Sequence, residues 1–236
     1  MYDLIAVLPK YFGASSEWIH HYHHVLTTAF VCLLLLTFSL IAHKKLKNTE
    51  KSIVPEKKLS FANIFEFAVE QLLGLMHGIM GNRADRYFPL IAALFLYLFV
   101  SNLMGVIPGL TPPTENVNTN LACSLVVFLY YNYVGIKEQG AKHYFQHLLG
   151  PVAWLAPLML IVEVISHVVR PISLCVRLFG NITGDHLVLG IFSDLVPLVV
   201  PVIFMALAIF VSFIQAFVFS LLSVIYISLA SEEEAH

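Results

Sequence analysis

Between Pro151 and Leu229 the chain runs through two apolar segments, Pro151 to Phe192 and Leu195 to Leu229, parted only by the short SDL stretch around Asp194. Drawn as helices rising ~1.5 Å per residue, they measure about 60 Å and about 50 Å, against a hydrocarbon core ~30 Å thick. Ordinary helix tilts of ~20° cannot absorb that excess. Either each segment breaks into two spans, or the pair lies steeply inclined as a long hairpin. No hydrophilic loop interrupts either segment, which favours the inclined hairpin, with Pro171, Pro197 and Pro201 able to supply bends.

The remainder of the chain suits the same solvent. Of its 236 residues 58% are hydrophobic and 12% charged, where a soluble domain carries about a quarter charged residues. The expected fold is all-α: one polytopic membrane domain over residues 1–236, with about five crossings. Residues 1–24 form an aromatic-rich outer lead and 25–42 (Val25 to Ala42) the first membrane helix. The stretch 43–60 is a basic loop. Residues 61–80 read as an amphipathic helix lying on a membrane surface or docking a partner, because Glu66, Glu70, Gln71 and His77 interrupt it and Glu66 shares a face with Asn63 and Glu70. A helical hairpin follows over 88–136, from Phe88 to Ile107 and back from Leu121 to Ile136, and the inclined hairpin occupies 151–230. Lys44, Lys45, Lys47, Lys51, Lys57, Lys58, Arg83, Arg86, Lys137 and Lys142 all fall on one side of this layout, with Lys10 alone opposite. By the positive-inside rule that side is cytoplasmic, so the N-terminus lies outside and the C-terminus inside. The lead has no basic n-region and no small-residue cleavage site, so no signal peptide is expected.

Within the first long segment lies EVISHVVRPISLCVRLFGNITGDH, residues 163–186. Glu163, His167, Arg170, Ser173, Arg177, Asn181 and Asp185 recur every three or four residues, which sets them along one stripe of a helix. Ionisable groups at membrane depth are costly and mark function by default. Arg177 is the most informative. A guanidinium stays protonated at any accessible pH, so it serves as a fixed charge rather than a proton carrier. Its natural partner is a carboxylate, yet Glu163 and Asp185 lie two turns or more away, and Leu195 to Ala230 holds no acid or base except Tyr226. The carboxylate is therefore expected from another subunit; the plainer alternative is a backbone carbonyl or helix end. Glu163 suits a water-filled path from one surface and Asp185 with His186 a path from the other, since desolvated carboxyls and histidine can relay protons. Glu163 can equally pair with His167 or Arg170. Gln215 on the last helix can hydrogen-bond across the hairpin to Asn181 or Arg177.

Other chemistries find little footing. The HHYHH run (His20 to His24) could bind a metal but has no defined geometry, and reads more simply as a wet segment at the mouth of a span. Cys32, Cys123 and Cys175 sit in apolar runs as small core residues. No phosphate loop, zinc motif or nucleophilic triad is present, so no metal, cofactor or nucleic acid is expected.

The segment RPISLCVRLFGN, Arg170 to Asn181, resembles the most distinctive motif of subunit a of the F-type ATP synthase membrane sector. FPLIAALFLYLFVSNLMGVIPG (Phe88 to Gly109), PTENVNTNLACSL (Pro113 to Leu125) and IQAFVFSLLSVIYISLA (Ile214 to Ala230) extend the likeness, in order, over residues 60–232. The resemblance implies a non-catalytic stator, working with a c-subunit ring, a b-subunit peripheral stalk and the whole synthase in a lipid bilayer, the bacterial inner membrane by length and loop pattern. It implies that Arg177 is the essential arginine facing the ring carboxylate. Glu163 and Ser166 match positions of a cytoplasmic half-channel, and Asn181, His186 and Gln215 positions of an outer one. The chain departs from the pattern at His186, where many bacterial relatives have Glu, and at Ala208, where they have His. Asp185, Glu115 or the HHYHH lead stand as substitutes, and Asn116 occupies a position where relatives often have Asp, with Glu115 beside it. The competing expectations are an independent ion-coupled secondary transporter, against which stands the lack of an internal repeat, and a haem- or metal-binding respiratory subunit, which would need facing histidine pairs.

Overall fold

The computed structural model describes residues 16–46, 61–107, 109–140, 144, 156–195 and 199–231, and every regular element among them is helical. The chain divides into two compact units, residues 1–113 and 114–236.

In the first unit, α1 spans Ser16–Leu46, α2 Phe61–Met80 and α3 Ala84–Met104. The first helix is longer than the expected 25–42 because the polar HHYHH run continues it rather than ending it. Helix α2 buries Leu72, Met76 and Met80, four residues apart, and leaves Glu70 and Gln71 exposed. That is the amphipathic pattern expected of it, although the side chains of Asn63 and Glu66 lie outside the described residues. It stops at Gly81, whose φ of 59° is left-handed and would strain any side chain. A single 3-10 turn, Gly81–Arg83, then opens α3. The buried face of α3 recurs at Ala84, Tyr87, Ile91, Leu94, Phe95 and Leu98, the helical spacing of one packed stripe. Tyr97 donates to the Thr28 hydroxyl on α1 at 3.4 Å, and the Thr111 hydroxyl lies 3.5 Å from the His23 ring nitrogens.

A 3-10 turn, Pro113–Glu115, leads into the second unit, which continues with α4 (Val117–Gln139), α5 (Ala156–Leu195) and α6 (Val199–Ser231). Asn116 caps α4, its side chain accepting from Asn118 N at 2.9 Å. At 40 and 33 residues, α5 and α6 are the long hairpin read from the sequence, and Pro171 does not break α5. Pro201 sits in the first turn of α6, where its missing N–H costs little; Pro197 lies outside the described residues. The unit packs on small and polar side chains as much as on large ones. Ser124 and Cys123 of α4, Leu174, Cys175 and Leu178 of α5, and Ser220, Ser223 and Ala216 of α6 are all buried. Lipid gives helices no hydrophobic reason to associate, so close backbone approach through small residues is how they gain contact. Gln139 fastens the end of α4 to α6, donating to the Ala230 carbonyl at 3.2 Å.

Five stretches are long and apolar enough to cross a membrane: Tyr22–Ile41, Ala68–Met104, Val117–Gln139, Pro157–Phe192 and Pro201–Ser231. The chain is a multi-pass membrane protein. The lead up to residue 15, most of the basic loop, Lys142 and the C-terminal EEEAH lie outside the described residues, as does the side chain of Asp194.

Candidate functional site

The stripe on α5 resolves into three stations along one helix. At the first, Glu163 and His167 meet as the i, i+4 pair the spacing allows, with His167 Nδ1 3.3 Å from Glu163 Oε1 and 3.1 Å from its carbonyl oxygen. The far ring nitrogen, Nε2, lies 3.2 Å from the Tyr144 hydroxyl, which in turn donates to Asn132 Oδ1 on α4 at 2.7 Å. Ser166 is half-buried one residue before His167. Of the two partners the sequence left open for Glu163, the fold takes His167. Arg170, the other, is held instead between aromatic faces, its guanidinium 5.9 Å from the Tyr131 ring and 5.4 Å from the Tyr226 ring. Such cation–π contacts let a guanidinium sit among apolar side chains without a carboxylate.

The second station is Arg177. It is exposed and makes no hydrogen bond, ion pair or ring contact with another described residue. Its helix neighbours on the outward side, Ile172, Val176 and Ser173, are exposed too, while Leu174, Cys175 and Leu178 face inward. The Cys175 thiol, turned inward, donates to the Val117 carbonyl on α4 at 3.7 Å. Along α6, Phe210, Phe213 and Ile214 are likewise exposed.

The third station joins three elements. Asn181 Nδ2 donates to Gln215 Oε1 of α6 at 2.7 Å, the cross-hairpin bond expected from two uncharged amides in apolar surroundings. Gln215 is buried, so this bond also spares its oxygen an unsatisfied place in the core. One turn on, His186 Nδ1 stands 3.6 Å from Glu115 Oε1, with Asp185 half-buried beside it. Asn120 holds the start of α4 against this turn, donating to the Thr114 carbonyl at 2.7 Å. Ala208 is half-buried on α6, a place where no proton can be held.

Tyr144, Asn132 and the Tyr131–Tyr226 pair are the site residues that sequence reasoning missed. Asn132 offered a signal, an amide in the middle of an apolar span with Gly135 one turn on. Tyr144 offered none, since it lies in a connecting stretch with no periodicity. Among the described residues no three His, Cys, Asp or Glu side chains gather closely enough to hold a metal ion.

The family model "ATP synthase A chain" matches residues 25–228. Curated relatives include ATP synthase subunit a of Bdellovibrio bacteriovorus, 42% identical over 89% of this chain and 92% of its own length. That of Geobacter sulfurreducens is 50% identical over 87% and 85%. ATP synthase subunit a 2 of Syntrophotalea carbinolica is 45% identical over 99% and 96%.

Proposed function

The chain belongs to the ATP synthase A chain family, and from that premise we propose that it is the proton-translocating stator subunit of a rotary F-type ATP synthase in a bacterial inner membrane. It works beside a ring of c subunits and a b-subunit stalk, N-terminus outside and C-terminus cytoplasmic, and takes no part in nucleotide chemistry. The observation that carries this reading is the bare guanidinium of Arg177 on an exposed apolar helix face. A charge in that position is strongly disfavoured against lipid. Against a passing ring carboxylate it is favourable, because it holds that carboxylate ionised and lowers its proton affinity while the two face each other.

The stations on either side then act as two half-channels. Glu163, Ser166 and His167 open toward the cytoplasm. Asn181, Gln215, Asp185 and His186 open toward the outside. In the outer path the Glu115–His186 pair supplies the carboxylate and imidazole that Ala208 cannot, with Asn116 fixing the turn that carries Glu115. A proton reaching the ring from one path leaves by the other only after the ring has carried it past Arg177. Each charge crossing is worth ~2.3 kcal/mol per 100 mV, and that work is lost if protons pass directly between the paths.

The test is ATP-driven acidification of inverted membrane vesicles, native against Arg177→Ala. Loss of pumping with the complex still assembled, accompanied by a passive leak, is the expected result. Undiminished pumping by the variant would sink the reading.

A further inference from the structure

The hydrogen bonds around His167 fix more than a pairing with Glu163. Asn132 Nδ2 donates to the Phe128 carbonyl at 2.7 Å, which sets the amide's orientation, since turning it over would bring two oxygens together at that distance. Its Oδ1 therefore faces Tyr144 and takes the hydroxyl proton at 2.7 Å. With that proton committed, the phenol oxygen meets His167 Nε2 as an acceptor, at 3.2 Å. On the other edge of the ring, Nδ1 meets acceptors again, the carbonyl and the carboxylate of Glu163. A neutral imidazole carries one N–H and serves one edge. An imidazolium serves both.

Resting on the ion-path reading above, we propose that Tyr144 and Asn132 form a clamp that holds His167 doubly protonated against the Glu163 carboxylate, making His167 the proton-loading group of the cytoplasmic path and Tyr144 its positioning residue. Delivery moves the Nδ1 proton to the Glu163 carboxylate, leaving a neutral imidazole and a carboxylic acid; once that acid has passed its proton toward the ring, a hydronium ion from the cytoplasmic water reprotonates Nδ1 and departs as water. The phenol keeps its contact with Nε2–H throughout, so the ring does not turn between loading and delivery.

The seat of the clamp is built into α4. Gly135 lies under the Tyr144 ring, and a Cβ there would stand 2.6 Å from Tyr144 Cε2. Burial pushes the Tyr144 phenol above its ordinary value, against the pull of the Arg170 charge and with the help of Glu163, which keeps its hydroxyl proton in place for Asn132. Among the described residues, the titratable and charged groups near His167 are Glu163 and Arg170 on α5, Tyr131 on α4 with its ring 5.8 Å away, Tyr144, and Tyr226 on α6 beyond Tyr131. Arg170 opposes a second positive charge, but its guanidinium lies over the two aromatic rings rather than on the imidazole.

In inverted vesicles the cytoplasmic face meets the bath, so bath pH titrates this path during ATP-driven pumping. Pumping should fall as the bath pH rises and leaves this path unloaded. Tyr144→Phe removes the acceptor at Nε2. Asn132→Leu frees the Tyr144 proton to donate to a neutral Nε2. Both should move the alkaline limb of the native profile acid-ward by about one pH unit, roughly a tenfold loss in proton affinity, and His167→Gln should remove that limb. Comparing each variant with native enzyme at every pH cancels the titration of the nucleotide sites. A limb that stays in place, or a loss of rate equal at every pH, overturns the clamp, and Asn132→Leu decides the matter if Tyr144→Phe does not assemble. Arg177→Ala in the same vesicles separates the two readings: pumping that survives it sinks the ion path itself, whereas its loss beside an unmoved limb sinks only the clamp.

Discussion

Arg170 and Arg177 stand two helical turns apart on α5, on one stripe, and meet opposite surroundings. The first lies between the rings of Tyr131 and Tyr226. The second has no partner among the described residues and sits on an exposed face. Two guanidiniums of equal intrinsic charge thus meet different settings: one lies against aromatic rings within its own unit, and the other, on the proposed reading, faces a surface outside it. The lesson is that a buried-looking charge in a membrane sequence needs its partner located before it is given a role. Arg170 of α5 reaches rings on α4 and α6 and so ties three helices together, whereas Arg177 makes no such contact among the described residues.

The sharpest way to break this contrast is to remove each arginine in turn. Arg177→Ala should abolish coupled pumping while leaving the thermal stability of the subunit's own fold within about 0.5 kcal/mol of native, as for a surface substitution that loses no contact within the chain. Arg170→Ala should do the reverse, costing about 1–2 kcal/mol from the two ring contacts while a reduced but coupled pumping persists. Thermal release of the subunit, measured beside vesicle acidification, checks both; equal effects from the two would erase the distinction. Next in size is Glu115→Gln, which removes the carboxylate from His186. It should slow proton uptake from the outside several-fold in ATP synthesis assays and spare the passive barrier at Arg177. The smallest expected effect is that of Gln215→Leu. Losing the bond to Asn181 should cost about 0.6–1.7 kcal/mol, the range for hydrogen bonds between membrane helices, read as a lower temperature of subunit release with pumping slowed but still coupled.

Much of this was legible in the sequence, for identifiable reasons. The long hairpin follows from two apolar segments with no break, and the stripe follows from helical spacing. A bond from Gln215 across the hairpin follows from an amide in an apolar setting, and of its two candidate partners, Asn181 and Arg177, the fold takes Asn181. The choice of His167 over Arg170 as the partner of Glu163 did not follow, because both lie on the stripe and only the aromatic rings on α4 and α6 draw Arg170 away. The pairing of Glu115 with His186 was one option among several; it depends on where a 3-10 turn before α4 falls beside α5, which no periodicity encodes. Tyr144 was invisible for the same reason, its position being set by the absence of a side chain at Gly135 on another element.

The unbroken length of α5 has one more consequence, in the plane of the membrane rather than across it. Its apolar stretch Pro157–Phe192 has 36 residues and measures ~54 Å as a helix, so it fits a core ~30 Å thick at an inclination of roughly 55° from the normal. Along such a helix the ~35 Å between Glu163 and His186 resolves into about 20 Å of depth and about 29 Å of sideways displacement. On the proposed reading the two mouths then open onto different longitudes. A proton entering at one would have no vertical route to the other and would travel an arc whose length and sense follow from the slope of a single helix.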